Sequence, residues 1–594
     1  MDVCAGPHYR VLSVLKVDVL ETVTTAKPAR LLGALEEMRA RAAVARLPLE
    51  INGADGARRE LRAMVSQLED YILPRLNQLE APLLAVVGGP TGAGKSTLVN
   101  SIVGRQVTAP GVLRPTTRMP VLVCHPADEE WFSYQRVLPG LVRITGSAGG
   151  AATGGLRLRH EKALPRGLAL LDAPDIDSIV AENRQLAVEL LAAADLWIFV
   201  TTAARYADAV PWDLLISAQE RSAAVAVVLD RVPAKAASEV VTHLAALLSD
   251  HGLGDSPLFV VPESPLGAQG LLPKEAIGTL RGWLHSLAAD AGERRRVIRR
   301  TLDGALASFD ARLLDLAEAA DGQVVTAAML RTQVETAYRG ALEQVESAFT
   351  DGSLLRGEVL ARWQEFVGTG ELFKSLQNRV GRIRDRVGAA FRGQPPPGTN
   401  LQVALGSGIE ALIVNAAEHA AESTIELWRA HPAGAGLLTQ AGPDLGKGNP
   451  DLPERASAAV RAWQAYVRDL VRSQGMSKRA TARFLSFGIN GVALLVMLAV
   501  FASTAGLTGA EIGVAAGSSA LSQKLLEAIL GDQAVRSLAT DARQNLVQRL
   551  DDILADEARR FTTLLDGAGV DPDLPAWLRG QHAAINEARA EAVR

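Results

Sequence analysis

Apolar positions along this chain change their pattern twice, and the changes set an α/β part between two helical ones. Between residues 28 and 79 they recur every three to four positions. Leu31, Leu32, Leu35 and Met38 share one face, and Leu61, Met64, Leu68 and Ile72 share another. That period predicts two amphipathic helices, Pro28–Leu47 and Gly56–Leu79, joined by a turn at Ile51–Gly56. Pro74 should kink or end the second, because it has no N–H to donate and its ring crowds the preceding turn. From about 83 to 290, short apolar runs alternate with helix-like ones. The strand candidates are Leu83–Val87, Val121–Cys124, Val142–Thr145, Leu168–Leu171, Trp197–Thr201, Val225–Leu229 and Leu258–Val261. Runs apolar throughout, separated by helices, predict a mostly parallel sheet with helices on both faces. Gly149–Gly155 is too glycine-rich for regular structure and reads as a loop between strands.

After Gly282 the strand signal stops. Helical patterns fill Arg294–Ala348, Leu354–Phe391, Leu401–Arg429 and Glu454–Arg472, with breaks at Gly393–Gly398 and Pro432–Pro453. No short repeat is visible, so a bundle of long helices is expected rather than a solenoid. Phe484–Ala510 then carries no charged residue, and Ile512–Gln523 is again uncharged but rich in small residues. The first of these is long enough to span a hydrocarbon core of about 30 Å. Arg472, Lys478, Arg479 and Arg483 precede the pair and Lys524 follows it, a distribution that suits a helical membrane hairpin with both flanks on the cytoplasmic side. The alternative is a buried hairpin at the centre of the bundle. The expected organisation is N-terminal helices over 1–80, an α/β domain over 81–290, a helical stalk over 291–483, an apolar hairpin over 484–523 and C-terminal stalk helices over 524–594.

Composition narrows the function classes. With 62 Lys+Arg against 66 Asp+Glu the formal net charge is −4, so the whole surface is no nucleic-acid footprint, and no nucleic-acid partner is expected. Two basic runs, Arg294–Arg300 and Lys374–Arg386, read as solvated or salt-bridged helix faces, with anionic lipid contact as the second reading. Cys4 and Cys124 are the only cysteines, which implies neither a disulfide framework nor a zinc site and suits a reducing compartment. The N-terminus lacks a basic segment followed by a clean apolar core, so no signal peptide is expected. Trp363, Trp428 and Trp463 lie on helical patterns and are assigned to core packing.

The chemistry concentrates where the first strand candidate ends. Gly89-Pro90-Thr91-Gly92-Ala93-Gly94-Lys95-Ser96 fits the phosphate-binding pattern G-x-x-x-x-G-K-[ST], and Thr97 opens a helical run. Glycines allow the backbone N–H groups to curl around a phosphate, and the helix N-terminus adds partial positive charge. Lys95 can reach terminal phosphates and the Ser96 hydroxyl can ligate Mg²⁺. Downstream, Arg114-Pro115-Thr116-Thr117-Arg118 offers a hydroxyl that could close on the metal and the γ-phosphate; Thr117 is favoured and Thr116 stays open. Asp172, directly after four apolar residues, stands at a strand end as the carboxylate on the metal side.

These elements resemble a translation-factor-class GTPase: the continuation GKSTLVNSIVG, the PTTR element and the LDAPD strand end. Helices before that domain, a long helical region after it and the uncharged stretch resemble bacterial dynamin-like proteins, actinobacterial ones in particular, as does Thr201–Asp208. The motif match covers roughly 83–265; over the rest the resemblance is one of layout. It implies a P-loop G domain followed by a helical stalk, GTP and Mg²⁺ as cofactors, and GTP hydrolysis. It also implies membrane lipid and a G-domain homodimer or dynamin-like partner, at the cytoplasmic face of the cell membrane. Thr91 stands where the family often has a polar residue and is a candidate catalytic contact beside Lys95.

Three departures matter. The glycine whose N–H usually meets the γ-phosphate is Asp175, a carboxylate that would repel the phosphate unless it points away or pairs. The base-reading element after Val225–Leu229 is Asp230-Arg231-Val232-Pro233: Arg231 could stack on a base, Asp230 takes the Asn/Thr slot, and Pro233 stands where a carboxylate usually does. Val261–Ser264 could supply the last backbone contact to the base. No Gln or His is placed to orient an attacking water. Two other readings stay open: a soluble Era-like GTPase acting on RNA or the ribosome, and a nucleotide-gated scaffold that hydrolyses little.

Overall fold

In the computed structural model the strand-like runs join one eight-stranded sheet in the order β3-β4-β2-β5-β1-β6-β7-β8. The structure describes residues 29–108, 119–133, 137–138, 141–144, 155–178, 181–220, 223–350, 361–362, 397–473, 491–500 and 532–593. The strands are β1 Leu83–Gly88, β2 Val121–Cys124, β3 Val142–Ile144, β4 Gly155–His160, β5 Leu168–Asp172, β6 Leu196–Thr202, β7 Ala224–Val232 and β8 Leu258–Pro262. Every pairing is parallel except β2 with β5. β1, β2, β5 and β6 are buried along their whole length, which is why they read as unbroken apolar runs. Alternate residues feed separate cores: Leu84 and Val86 of β1 enter one, Leu83, Ala85 and Val87 the other.

The chain divides into two compact units. The first comprises Met1–Leu47, Gly53–Asp321 and Asp571–Arg594. Helix α1 spans 29–42 and α2 spans Ala54–Gln67. The sheet helices are α3 Lys95–Val103, α4 Ala181–Ala192, α5 Ala209–Glu220, α6 Ala237–Asp250 and α7 Gly278–Ala289. The long helix α8, Ala291–Thr350, begins in this unit, and α12, Leu574–Val593, ends it. The predicted faces of α1 and α2 meet here: Leu35, Met38, Met64 and Leu68 pack with Phe309 and Leu313 of α8 and Leu578 of α12. A buried ion pair ties this layer to the sheet. Arg75 Nε donates to Asp195 Oδ1 at 2.8 Å, and the Leu84 N–H of β1 donates to Asp195 Oδ2 at 2.7 Å.

The second unit comprises Pro48–Asn52 and Gly322–Val570. It holds the remainder of α8 with α9 Pro397–Arg429, α10 Leu452–Ser473 and α11 Asp532–Ala568. Trp428 and Trp463 are fully buried, and the Trp463 indole donates to the Ala542 carbonyl at 2.8 Å. Leu354–Phe391, Trp363 and the basic run Lys374–Arg386 lie outside the described residues apart from 361–362. So does most of the 484–523 hairpin. Its described part, 491–500, is helical, and Val492–Val500 are buried in the core cluster of this unit. Among the described residues no helix is long and apolar enough to cross a membrane.

Candidate functional site

The glycine pattern Gly89–Ser96 lies at the C-terminal end of β1, between β5 and β6, where an open α/β sheet presents its crevice. Two glycines there are obligatory. Gly89 has φ 152°, and a Cβ on it would overlap the Val200 carbonyl oxygen of β6. Gly94 has φ 95°, and a Cβ on it would overlap Asp230 Oδ2. The backbone of Gly92 is also left-handed, at φ 76°. The chain then enters α3, whose first turn carries Lys95, Ser96 and Thr97, and Ala93 N–H closes the loop on the Pro90 carbonyl at 3.1 Å. The first-turn N–H groups and the macrodipole make this a ready anion site.

Three of the expected residues converge. Val87 of β1 pairs in register with Asp172 of β5, which brings the carboxylate beside the loop. The Ser96 hydroxyl donates to Asp172 Oδ2 at 2.7 Å. The Thr108 hydroxyl donates to the same oxygen at 2.8 Å. Asp172 Oδ1 is buried and has no hydrogen-bond partner among the described residues. Burial pushes the Asp172 carboxyl above the ordinary range, against the pull of both hydroxyls and the Lys95 ammonium. A hydroxyl beside a carboxylate with a spare buried oxygen is a hard-oxygen donor set that fits Mg²⁺. Among the described residues no group of three His, Cys, Asp or Glu side chains could hold a metal, so such an ion would draw on phosphate oxygens and water.

Lys95 is buried, and its ammonium donates to the Gly89 carbonyl at 2.9 Å, the Pro90 carbonyl at 3.1 Å and Asp175 Oδ1 at 2.5 Å. Asp175, which the sequence left either averted or paired, is therefore paired. Thr91 donates through its N–H, at 2.5 Å, and its hydroxyl, at 2.6 Å, to Asp177 Oδ1. Arg205, after β6, closes this corner. It donates to Asp177 Oδ2 at 2.9 Å, to the Thr91 carbonyl at 2.9 Å and to Asp208 at 2.7 Å. Burial lifts the Asp177 carboxyl, but the Thr91 and Arg205 hydrogen bonds outweigh it and hold the group below the ordinary carboxylate range.

On the other side of the loop, Asp230 is buried at the end of β7 against Gly94, and burial raises its carboxyl above the ordinary range. Arg231 takes a left-handed backbone, φ 53°, and its guanidinium donates to the Gly92 carbonyl. Asp230 and Arg231 thus both touch the phosphate loop. Thr116 and Thr117 lie outside the described residues.

No protein-family model matches the chain, and no curated protein matches it. Its structural neighbours are bacterial dynamins. Two solved chains are described as an oligomerised bacterial dynamin pair for long-range sensing and tethering of membranes. One has a TM-score of 0.39 at 11% identity, over 98% of this chain and 99% of the other. The second has a TM-score of 0.38 at 12% identity, over 98% and 99%.

Sequence reasoning missed Thr108, Asp177 and Arg205. Thr108 is placed by Asn100, whose side-chain oxygen accepts from the Val107 and Thr108 N–H groups at 2.8 and 3.0 Å. An Asn inside an apolar helical run was the available signal. Asp177 and Arg205 meet only through tertiary structure, and no spacing marks them.

Proposed function

We propose that the chain is a dynamin-like GTP-binding and GTP-hydrolysing protein that couples nucleotide state to tethering, remodelling or organising a membrane. The observation that carries the nucleotide half is the Ser96–Asp172 hydrogen bond at the end of β1, with the Lys95 ammonium near enough to act on the Asp172 carboxylate. In this proposal the N–H groups of Gly92–Thr97 cradle the phosphates and Lys95 takes the terminal ones. Ser96, Asp172 and Thr117 would hold Mg²⁺, which when bound neutralises charge developing on the phosphates. Thr91 and Lys95 face the reacting end, while Asp230 and Arg231 border the base. Motif order, the apolar 484–523 stretch and a helical unit following an α/β unit support the membrane half.

Binding of GTP, GDP, ATP and ADP to the full chain with Mg²⁺ tests the first half. GTP and GDP should bind, and Lys95→Ala should weaken GTP by about a hundredfold or more, the loss of a charge-assisted contact of roughly 3 kcal/mol. A clear preference for adenine nucleotides would overturn the GTP assignment. One observation favours the scaffold reading as a second possibility: the Asp175 carboxylate sits on the ammonium that hydrolysis needs. Single-turnover hydrolysis separates the two, since a scaffold would bind GTP and leave it uncleaved.

A further inference from the structure

Asp175 and Asp177 belong to the short segment between β5 and α4, and this segment lies along the phosphate loop. Ile176 N–H donates to the Gly89 carbonyl at 3.4 Å. On either side of it, Asp175 Oδ1 meets Lys95 Nζ at 2.5 Å and Asp177 Oδ1 meets the Thr91 N–H at 2.5 Å. All three hydrogens of the Lys95 ammonium are engaged, by two carbonyls and this carboxylate. The acceptors are anionic oxygens on a lysine ammonium and a loop N–H, the donors that otherwise receive a terminal phosphate. Arg205 fastens the arrangement, bridging Asp177 to the Thr91 carbonyl.

We infer that Asp175 and Asp177 are specificity-determining residues that occupy the terminal-phosphate subsite and select a nucleoside diphosphate over a triphosphate. This rests on the phosphate-loop reading above. A diphosphate uses the loop N–H groups, α3 and, at its β-phosphate, part of the Lys95 ammonium, but does not extend to the Thr91 end of the loop where Asp177 stands. A triphosphate must displace both, because its own negative charge cannot share Lys95 and Thr91 with them. Entry of the third phosphate therefore moves the 173–178 segment, and the moved segment distinguishes the triphosphate state.

The test uses the full chain with Mg²⁺ and compares GDP with GTPγS by calorimetry, for wild type, Asp175→Asn, Asp177→Asn and the double variant. Asp208→Asn, which touches Arg205 but not the loop, is the control. Wild type should bind GDP more tightly than GTPγS. The double variant should bind GTPγS about tenfold more tightly than wild type does, with GDP changed by no more than about twofold. Hydrogen exchange across 173–178 should rise with GTPγS and not with GDP, a readout that a merely structural role would not move. An unchanged GTPγS-to-GDP ratio in the double variant would overturn the inference and leave the nucleotide site standing. Failure of wild type to bind either nucleotide would overturn both.

Discussion

Gly94 shows how tightly single residues constrain this site. Its φ of 95° disfavours any side chain, and a Cβ there would also meet Asp230 Oδ2. The backbone effect alone is worth about 1–2 kcal/mol. The collision adds to it, because Asp230 is buried at a strand end and has little room to retreat. Gly94→Ala should lower the melting temperature and reduce GTP affinity by about tenfold or more. Adding Asp230→Ala removes the obstacle but not the φ strain, so the double variant should recover part of the loss and no more. Equal defects in the single and double variants would mean that Asp230 does not confine residue 94. The same scale shows what could be read in advance. Lys95 and Ser96 lie within one local pattern, and Asp172 ends an apolar strand, so chain order alone placed all three. Asp175 and Asp177 meet Lys95 and Thr91 across more than 75 residues, and only the register of β5 beside β1 brings them there. Their partners were invisible for that reason.

At the scale of elements, most strands were legible because burial on both faces leaves unbroken apolar runs. β4 was not. Its sequence, GLRLRH, alternates Leu156 and Leu158, which are buried, with arginines, and two glycines blur its start. The break expected at Pro432–Pro453 contains a helix, Pro432–Ala441, with Pro432 in its first turn and His431 as its cap, accepting from the Ala433 N–H at 3.2 Å. Proline there opens a helix rather than ending one. Pro74 is a third case. The helix continues past it, and the turn just before, Leu68–Ile72, widens to a π-helix, which makes room where the ring would strike the Asp70 carbonyl. That wide turn carries Asp70, whose carboxyl is pushed up to about 6 by burial first and then by Glu189 and Glu69. A carboxyl raised in the folded state binds more protons folded than unfolded, so stability falls as pH rises from about 4 to 6 and stays lower above. Asp70→Asn should therefore raise the melting temperature at pH 7.5 by a few degrees, and the gain should shrink towards pH 4.5. A gain of equal size at both values would show that charge at Asp70 is not the cause.

For the whole molecule, the decisive question is what the apolar stretch near residue 496 does. Val492, Leu494, Leu495, Val496, Met497, Leu498 and Val500 are all buried in the helical unit. Exposing seven such side chains to water costs on the order of 10–20 kcal/mol. That matches or exceeds the whole stability of a typical domain, about 5–15 kcal/mol. The segment could therefore reach a membrane only by passing directly into lipid. A thiol at 496 distinguishes the two roles. Val496→Cys removes about one methyl group's volume, and in a Cys4→Ser background the only other cysteine is Cys124. Cys124 is buried, with a thiol pushed up to about 12 by burial and then by Asp128 and Glu129, so it stays inert to maleimides. Without lipid, the thiol at 496 should label only after urea is added; rapid labelling would contradict its burial. If nucleotide state drives this stretch into lipid, anionic liposomes with GTP should open the thiol to a polarity-sensitive maleimide, with the emission of an apolar surrounding, and GDP should not. Should the protein float with liposomes while residue 496 stays blocked, the stretch is core, and the membrane-binding surface lies elsewhere in the chain.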